Sequence, residues 1–228
     1  MDYVIAAPPL TTLPVDRDER RFRVRRVFCV GCNYAGHARE MGHDPDREPP
    51  FFFTKPADAV LPGGGTIPYP PATRDLHHEV ELVVALGKGG VDIPQAHALD
   101  HVFGYAVGIE LTRRDLQAAA KEQRRPWDMA KAFDRSAPVS ALRAVTQIGH
   151  PESNPIRLAL NGEVRQASTL AHHIWSVAET IAYLSGLVEL APGILIFMGT
   201  PEGVGAVARG DRLEAAIEGV GELWVTIA

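Results

Sequence analysis

The chain has 228 residues, 46% of them hydrophobic and 22% charged, the make-up of a soluble globular protein long enough to bury one full core. Its net charge of −5 gives no electrostatic footprint for nucleic acid. No stretch approaches the ~18 apolar residues of a membrane span, and the N-terminus lacks the basic and apolar regions of a secretory signal, so a cytoplasmic location is expected.

Residues 1–22 carry Pro8, Pro9 and Pro14 with little periodicity, and read as a short N-terminal extension with a strand at Tyr3–Ile5. The basic run Arg20–Arg26 reads as a solvated strand with charged flanks rather than a binding patch. A strand over about 23–30 contains Cys29, which with Cys32 makes a Cys-x-x-Cys. Because Cys29 sits in the apolar run Val27–Val30, both are read as free thiols in a reducing compartment. Tyr34–Met41 is expected to form a short helix stopped by Gly42, with His37 and Glu40 three apart on one face. The polar, Pro-containing segment 43–50 follows as a mobile loop, and residues 36–50 together read as a lid. Phe51–Lys55 is a strand ending at a lysine.

The stretch 77–86 organises the rest. It reads as one strand closed by Gly87–Gly90, and alternation puts Glu79 and Glu81 on one face with Val80, Leu82 and Val84 on the other. The two carboxylates lie about 7 Å apart in a segment too apolar for an open edge, where a hard divalent cation would keep both ionised. Strand chemistry alone leaves a metal site and a solvated face both open. His78 must point away from the glutamates, and His77, on their side, reads as a neighbour rather than a ligand. A helical turn at 94–99 and an apolar strand over 101–111, with Glu110 near its end, come next. Thr112 is expected to cap a helix opening at Thr112–Gln117. Asn161-Gly162 marks a β-hairpin, 168–187 an amphipathic helix, 193–198 a buried strand, and 211–228 two strands. Many strands with few long helices argue for a β-rich α+β fold.

Several motifs then coincide in order: Gly31-x-Asn33-Tyr34-x-x-His37-x-x-Glu40, Lys55-Pro56, Glu79-x-Glu81, Thr112-x-x-Asp115-Leu116-Gln117, Lys131-x-Phe133-Asp134, Asn161-Gly162 and Gly199-Thr200-Pro201-x-Gly203-Val204-Gly205. On this ordered set the chain resembles the fumarylacetoacetate hydrolase family. Residues 39–42, 44–53 and 111–117 carry a closer likeness to the fumarylpyruvate hydrolases of gentisate breakdown. The resemblance implies a mixed β-sandwich roll over 23–228, a homodimer, and a divalent ion held by Glu79, Glu81 and Glu110. With three carboxylates and no suitably spaced sulfur, Mg²⁺ or Mn²⁺ is expected. The family usually has Asp at position 110, so the longer glutamate must fold back or shift the metal. Cys32 stands where close relatives carry Arg, and Ile194 where the family often has Asp.

The implied reaction is hydrolysis of a carbon–carbon bond in an acylpyruvate, most simply fumarylpyruvate to fumarate and pyruvate. On residue type alone His37 reads first as a solvated helix histidine. The resemblance instead makes His37 the base, Glu40 its orienting partner and Lys131 the holder of an oxyanion or carboxylate. It further implies substrate contacts from Asn33, Tyr34, Arg113, Gln117, Thr200 and Lys55. Gly199–Gly205 is a tight turn, since the phosphate-loop pattern is absent. The alternatives are an oxaloacetate decarboxylase or keto-acid isomerase of the same family, which need no activated water, or a non-catalytic member.

Overall fold

The computed structural model describes residues 4–40 and 48–228. The chain opens with a hairpin, β1 (Thr12–Val15) and β2 (Asp18–Arg23), that buries Leu13 and Val15 against the main body. Val4 and Ile5, expected in a strand, are exposed and irregular, and Tyr3 lies outside the described residues. Pro8 and Pro9 just beyond them offer no N–H to a ladder. Then come β3 (Arg26–Gly31) and a short helix α1 (Ala35–Glu40), within a residue of expectation at each end. Gly42 and residues 43–47 of the expected loop lie outside the described residues. Next are β4 (Phe51–Lys55), β5 (Val60–Pro62) and β6 (Gly65–Ile67).

The single strand expected over 77–86 is two, β7 (Leu76–His78) and β8 (Val80–Leu86), with Glu79 at the break. A 3₁₀ turn at Gln95–His101 leads to β9 (Val102–Ile109). Thr112 does not cap a helix. It belongs to the two-residue strand β10 (Thr112–Arg113), its hydroxyl donates to Glu79 Oε1 at 3.1 Å, and α2 (Arg114–Glu122) begins beyond it. A one-turn helix α3 (Asp128–Lys131) precedes β11 (Ala137–Val139), β12 (Arg143–Ala144) and α4 (Val145–Ile148). The hairpin β13 (Pro155–Leu160) and β14 (Glu163–Thr169) turns on Asn161 and Gly162, whose φ angles of 53° and 84° are those this turn type requires. The helix expected from 168 starts later, as α5 (Val177–Leu187), because β14 uses the intervening residues and Ser176 with Glu179 forms a capping box. The chain finishes with β15 (Ile194–Phe197), β16 (Gly205–Val207), β17 (Arg212–Ile217) and β18 (Gly221–Ile227).

An eight-stranded mixed sheet runs β4-β3-β15-β8-β9-β11-β5, with β12 on β9, and a five-stranded sheet runs β14-β13-β17-β18-β6. A small three-stranded sheet runs β10-β7-β16. Leu82, Val84 and Val107 of the large sheet pack in one cluster with Leu158, Leu213 and Val225 of the other, while Val83, Ala85 and Phe197 fill the opposite face with Leu13 and Leu142. A strand buried on both faces reads as a continuous apolar run, and every residue of β8 is buried, Glu81 included. The fold is mostly β, as expected. Among the described residues no helix is long and apolar enough to cross a membrane.

Candidate active site

The chain changes sheets at Glu79, passing from β7 in the small sheet to β8 in the large one. In the antiparallel register of β8 and β9, Val80 faces Ile109 and Glu81 faces Gly108, and the Glu110 N–H donates to the Glu79 carbonyl at 2.8 Å. Three acidic residues from two strand ends therefore meet at one point. Glu79, Glu81 and Glu110 are 3%, 2% and 1% exposed, and one oxygen of each lies within 4.8 Å of the others. The longer glutamate at 110 still reaches this point.

Three buried carboxylates repel one another unless cations stand among them. Lys131, at the end of α3, donates to Glu79 Oε2 at 2.9 Å and to Glu110 Oε2 at 2.7 Å. Arg114, opening α2, pairs with Glu79 Oε1. Lys55, ending β4, donates to the Lys131 carbonyl and to Ser136 Oγ, and lies 3.4 Å from Glu110 Oε1. Burial works against the charge on Glu79, but Lys131 and Arg114 hold its carboxyl well below the usual range. Burial likewise opposes the charge on Lys131, and Glu110 and Glu79 hold its ammonium above the usual lysine range. Glu81 goes the other way: burial pushes it well up, and Glu110 and Glu79 push further. Its Oε2 accepts the Gly199 N–H at 2.6 Å. Glu110 Oε1 accepts no hydrogen bond. A convergent set of oxygen donors, one with an unused lone pair and one whose charge its neighbours reject, fits a hard divalent cation. Glu79, Glu81 and Glu110 could hold such an ion.

The same cavity is lined by His37, Gln117 and Thr200. His37 is 7% exposed, and its Nδ1 lies 3.3 Å from Glu40 Oε2. Glu40 Oε1 accepts the Gly203 N–H at 2.8 Å, so the turn after β15 fixes the carboxylate that fixes the ring. Burial lowers the His37 pKa, with Glu79 and Glu40 pulling the other way. A neutral ring is thus held beside a cluster of carboxylates. Gly199, at φ 89°, lets the turn pass within reach of Glu81, and a Cβ there would lie 2.8 Å from that of Asn33.

Four of the expected substrate contacts do not line the cavity. Asn33 instead pins backbone, donating to the carbonyls of Trp175 and Met198 and accepting the Trp175 N–H at 2.7 Å. Tyr34 is 1% exposed and edge-on to His173 at 4.6 Å. Arg113 stacks on Phe133 at 4.4 Å and donates to the Met129 carbonyl, because β10 turns alternate side chains to opposite sides and it is the next residue, Arg114, that faces the glutamates. Lys55 is buried behind Lys131 and Glu110. His77 also stays off the wall, accepting from Arg114 Nε at 3.3 Å while its Nε2 meets Asp75 at 2.9 Å. Cys29 and Cys32 are both free.

Sequence reasoning missed Arg114, Lys121 and Gln166. Arg114 and Lys121 line the cavity, and the signal for them was their spacing with Gln117, at i, i+3 and i+7 along α2. Gln166 is fully buried on β14 and joins four groups: its Oε1 accepts from Val80 N and meets His78 Nδ1, and its Nε2 donates to Thr200 Oγ1 and the Pro201 carbonyl. A lone glutamine in a hairpin carries no sequence signal of that kind.

Residues 26–228 match the family model described as fumarylacetoacetate (FAA) hydrolase C-terminal. A crystal structure of fumarylpyruvate hydrolase from Pseudomonas aeruginosa in complex with Mn²⁺ and pyruvate is 53% identical, superimposes with a TM-score of 0.97, and covers 100% of this chain and 99% of its own. The mitochondrial oxaloacetate tautomerase of Rattus norvegicus is 43% identical over 196 residues, 86% of this chain and 88% of that protein. A 5-carboxymethyl-2-hydroxymuconate delta-isomerase from Mycobacterium smegmatis, 33% identical with a TM-score of 0.81, covers 91% of this chain and 80% of its own.

Proposed function

The chain belongs to the fumarylacetoacetate hydrolase family, and from that premise we propose that it is a metal-dependent hydrolase of acylpyruvates, with fumarylpyruvate as substrate and fumarate and pyruvate as products. The observation that carries this reading is a buried carboxylate triad and a neutral, carboxylate-oriented histidine on one cavity wall. It is supported by the 53%-identical fumarylpyruvate hydrolase, whose structure contains Mn²⁺ and pyruvate.

Glu79, Glu81 and Glu110 hold Mg²⁺ or Mn²⁺ in this reading. When bound, such an ion supplies stabilisation for negative charge building on an α-keto-acid oxygen. His37 accepts a proton from water, and Glu40 steadies the resulting imidazolium. The hydroxide adds to the acyl carbonyl, the carbon–carbon bond breaks, and its electron pair leaves as the enolate of pyruvate. His37 returns its proton to that carbon, so water is the one co-reactant consumed. Lys131 and Arg114 balance the carboxylates and offer cations to the substrate's charge, and Gln117 and Thr200 set its orientation. Homodimer assembly, a cytoplasmic location, a role in aromatic-compound breakdown and the division at residue 23 belong to the same proposal.

The oxaloacetate tautomerase relatives favour a second reading, in which the site only moves a proton on a keto acid. The two separate at His37. Purified protein with Mn²⁺ is given fumarylpyruvate, and loss of its enol absorbance is followed alongside keto–enol exchange of oxaloacetate. Rapid cleavage that falls about 10²–10⁴-fold in His37→Ala supports the hydrolase. Fast oxaloacetate exchange with no cleavage of fumarylpyruvate sinks it.

A further inference from the structure

The helix α2 presents three polar side chains to the cavity at i, i+3 and i+7: Arg114, Gln117 and Lys121. One helix face therefore runs along the cavity for about 10 Å, at 1.5 Å per residue. Its first turn lies at the carboxylate end, where Arg114 pairs with Glu79 and donates to Gln117 Oε1 at 2.6 Å. Its last turn carries Lys121 to a different part of the wall, shared with Cys32, Phe51 and Trp127. There Phe51 and Trp127 meet edge-on at 5.3 Å, and Lys121 Nζ stands 5.5 Å from the Trp127 ring centre. Burial keeps the Cys32 thiol protonated, so the lysine supplies the charge among these four.

We propose that Lys121 is a specificity-determining residue that receives a carboxylate on the acyl half of the substrate, so that the site prefers acylpyruvates whose acyl group carries its own negative charge. This rests on the hydrolase reading above. The keto-acid end lies toward the glutamates, and the acyl chain extends along α2 between aromatic edges that suit a flat, conjugated segment. Its far carboxylate then reaches the ammonium. Burial disfavours the charge on Lys121, and Arg114 and Lys131 add to this against the opposing pull of Cys32 and Glu79, so a carboxylate placed beside it favours the ammonium. Gln117, midway along the face, spans the two ends.

The test compares native protein, Lys121→Met and Lys121→Arg, all with Mn²⁺, on fumarylpyruvate and on acetylpyruvate, which lacks the second carboxylate. A charge-assisted hydrogen bond of ordinary strength predicts that the fumarylpyruvate-to-acetylpyruvate ratio of kcat/KM falls roughly 10–100-fold in Lys121→Met and largely returns in Lys121→Arg. A ratio unchanged in Lys121→Met overturns the proposal, whether both activities fall together or neither falls. Calorimetric binding of fumarate against crotonate, its monoacid counterpart, gives a reading independent of turnover. Native protein that favours fumarate, with the preference lost in Lys121→Met, supports Lys121 even where neither acylpyruvate is cleaved and the hydrolase reading itself fails. Equal binding of fumarate by native protein and Lys121→Met overturns it.

Discussion

His37 shows how one residue's environment decides its chemistry. A solvated histidine titrates near 6.5, so half its copies would be protonated and useless as a base at that pH. Burial lowers the His37 value from 6.5, and the Glu40 contact keeps the ring oriented without fully reversing that effect. In the proposed reaction the base must be neutral, so the acid limb of kcat/KM should have its midpoint below 6.5. A pH profile of kcat/KM at saturating Mn²⁺ measures this, and an acid limb centred above 6.5 contradicts it. Glu110 makes a second case. It stands 2.7 Å from Lys131 Nζ and 3.4 Å from Lys55 Nζ, and Gln in its place keeps the shape but removes one of three converging charges. Glu110→Gln should weaken Mn²⁺ binding at least about tenfold, read by titration calorimetry. Undiminished affinity would remove Glu110 from the ligand set.

At the scale of elements, the site depends on turns that are tied to each other more than on any one strand. Asn33, just past β3, makes three side-chain hydrogen bonds to backbone next to α5 and after β15. Removing its amide orphans buried groups at about 1–3 kcal/mol each. Asn33→Ala should therefore lower stability by roughly 3 kcal/mol in urea unfolding, with kcat/KM at low temperature changed far less. The opposite pattern would mark Asn33 as a substrate contact.

This is also where the sequence stopped being legible. Apolar runs such as Val80–Leu86 and the Asn161-Gly162 turn announce themselves, since periodicity and positive φ leave a local trace. The glutamate pair was half legible: strand chemistry left a metal site and a solvated face both open, and it is the burial of Glu79 and Glu81 that removes the solvated face. The break at Glu79 was not, because β7 and β8 differ only in which distant strands they pair with. Nor was it legible that Arg114 rather than Arg113 lines the cavity, which turns on where a two-residue strand ends and a helix begins. Asn33 was legible as a motif position but its backbone hydrogen bonds were not, for a motif marks a position without saying what it touches.

For the molecule as a whole, charge is balanced locally and the balance depends on protons. Burial lowers the pKa of His37, His77, His78 and His173, the last to about 4. His173 packs against Tyr34, and its Nε2 is buried without a hydrogen bond. A histidine whose folded pKa lies below its unfolded value binds fewer protons in the native state through that interval, so its contribution to stability is whole above about 6.5 and is lost as pH falls toward 4. For His173 alone the loss is at most about 3 kcal/mol. Unfolding midpoints should drop steeply between pH 7 and pH 4.5, and His173→Asn should flatten the slope. An equal slope in the variant would assign the acid sensitivity elsewhere.

The carboxylate triad couples the same proton balance to metal. Burial and its two acidic neighbours hold the Glu81 carboxyl well above the usual range, whereas Lys131 and Arg114 hold Glu79 well below it. In the metal-free protein a proton is therefore held far more readily on Glu81 than on Glu79. A ligand must be a carboxylate, so Mn²⁺ binding has to expel that proton. Two consequences follow together. Mn²⁺ affinity should rise with pH across the range in which Glu81 titrates, and calorimetry in buffers of different ionisation enthalpy should register proton release. Bound ion should also stabilise the fold, by about 2.7 kcal/mol at a free concentration one hundred times Kd, because its ligands tie the start of β8 to the end of β9. In Glu81→Gln the proton release should vanish along with most of the affinity. Metal binding that releases no proton in native protein would mean that Glu81 is already ionised, and that Lys131 and Lys55 balance the triad unaided.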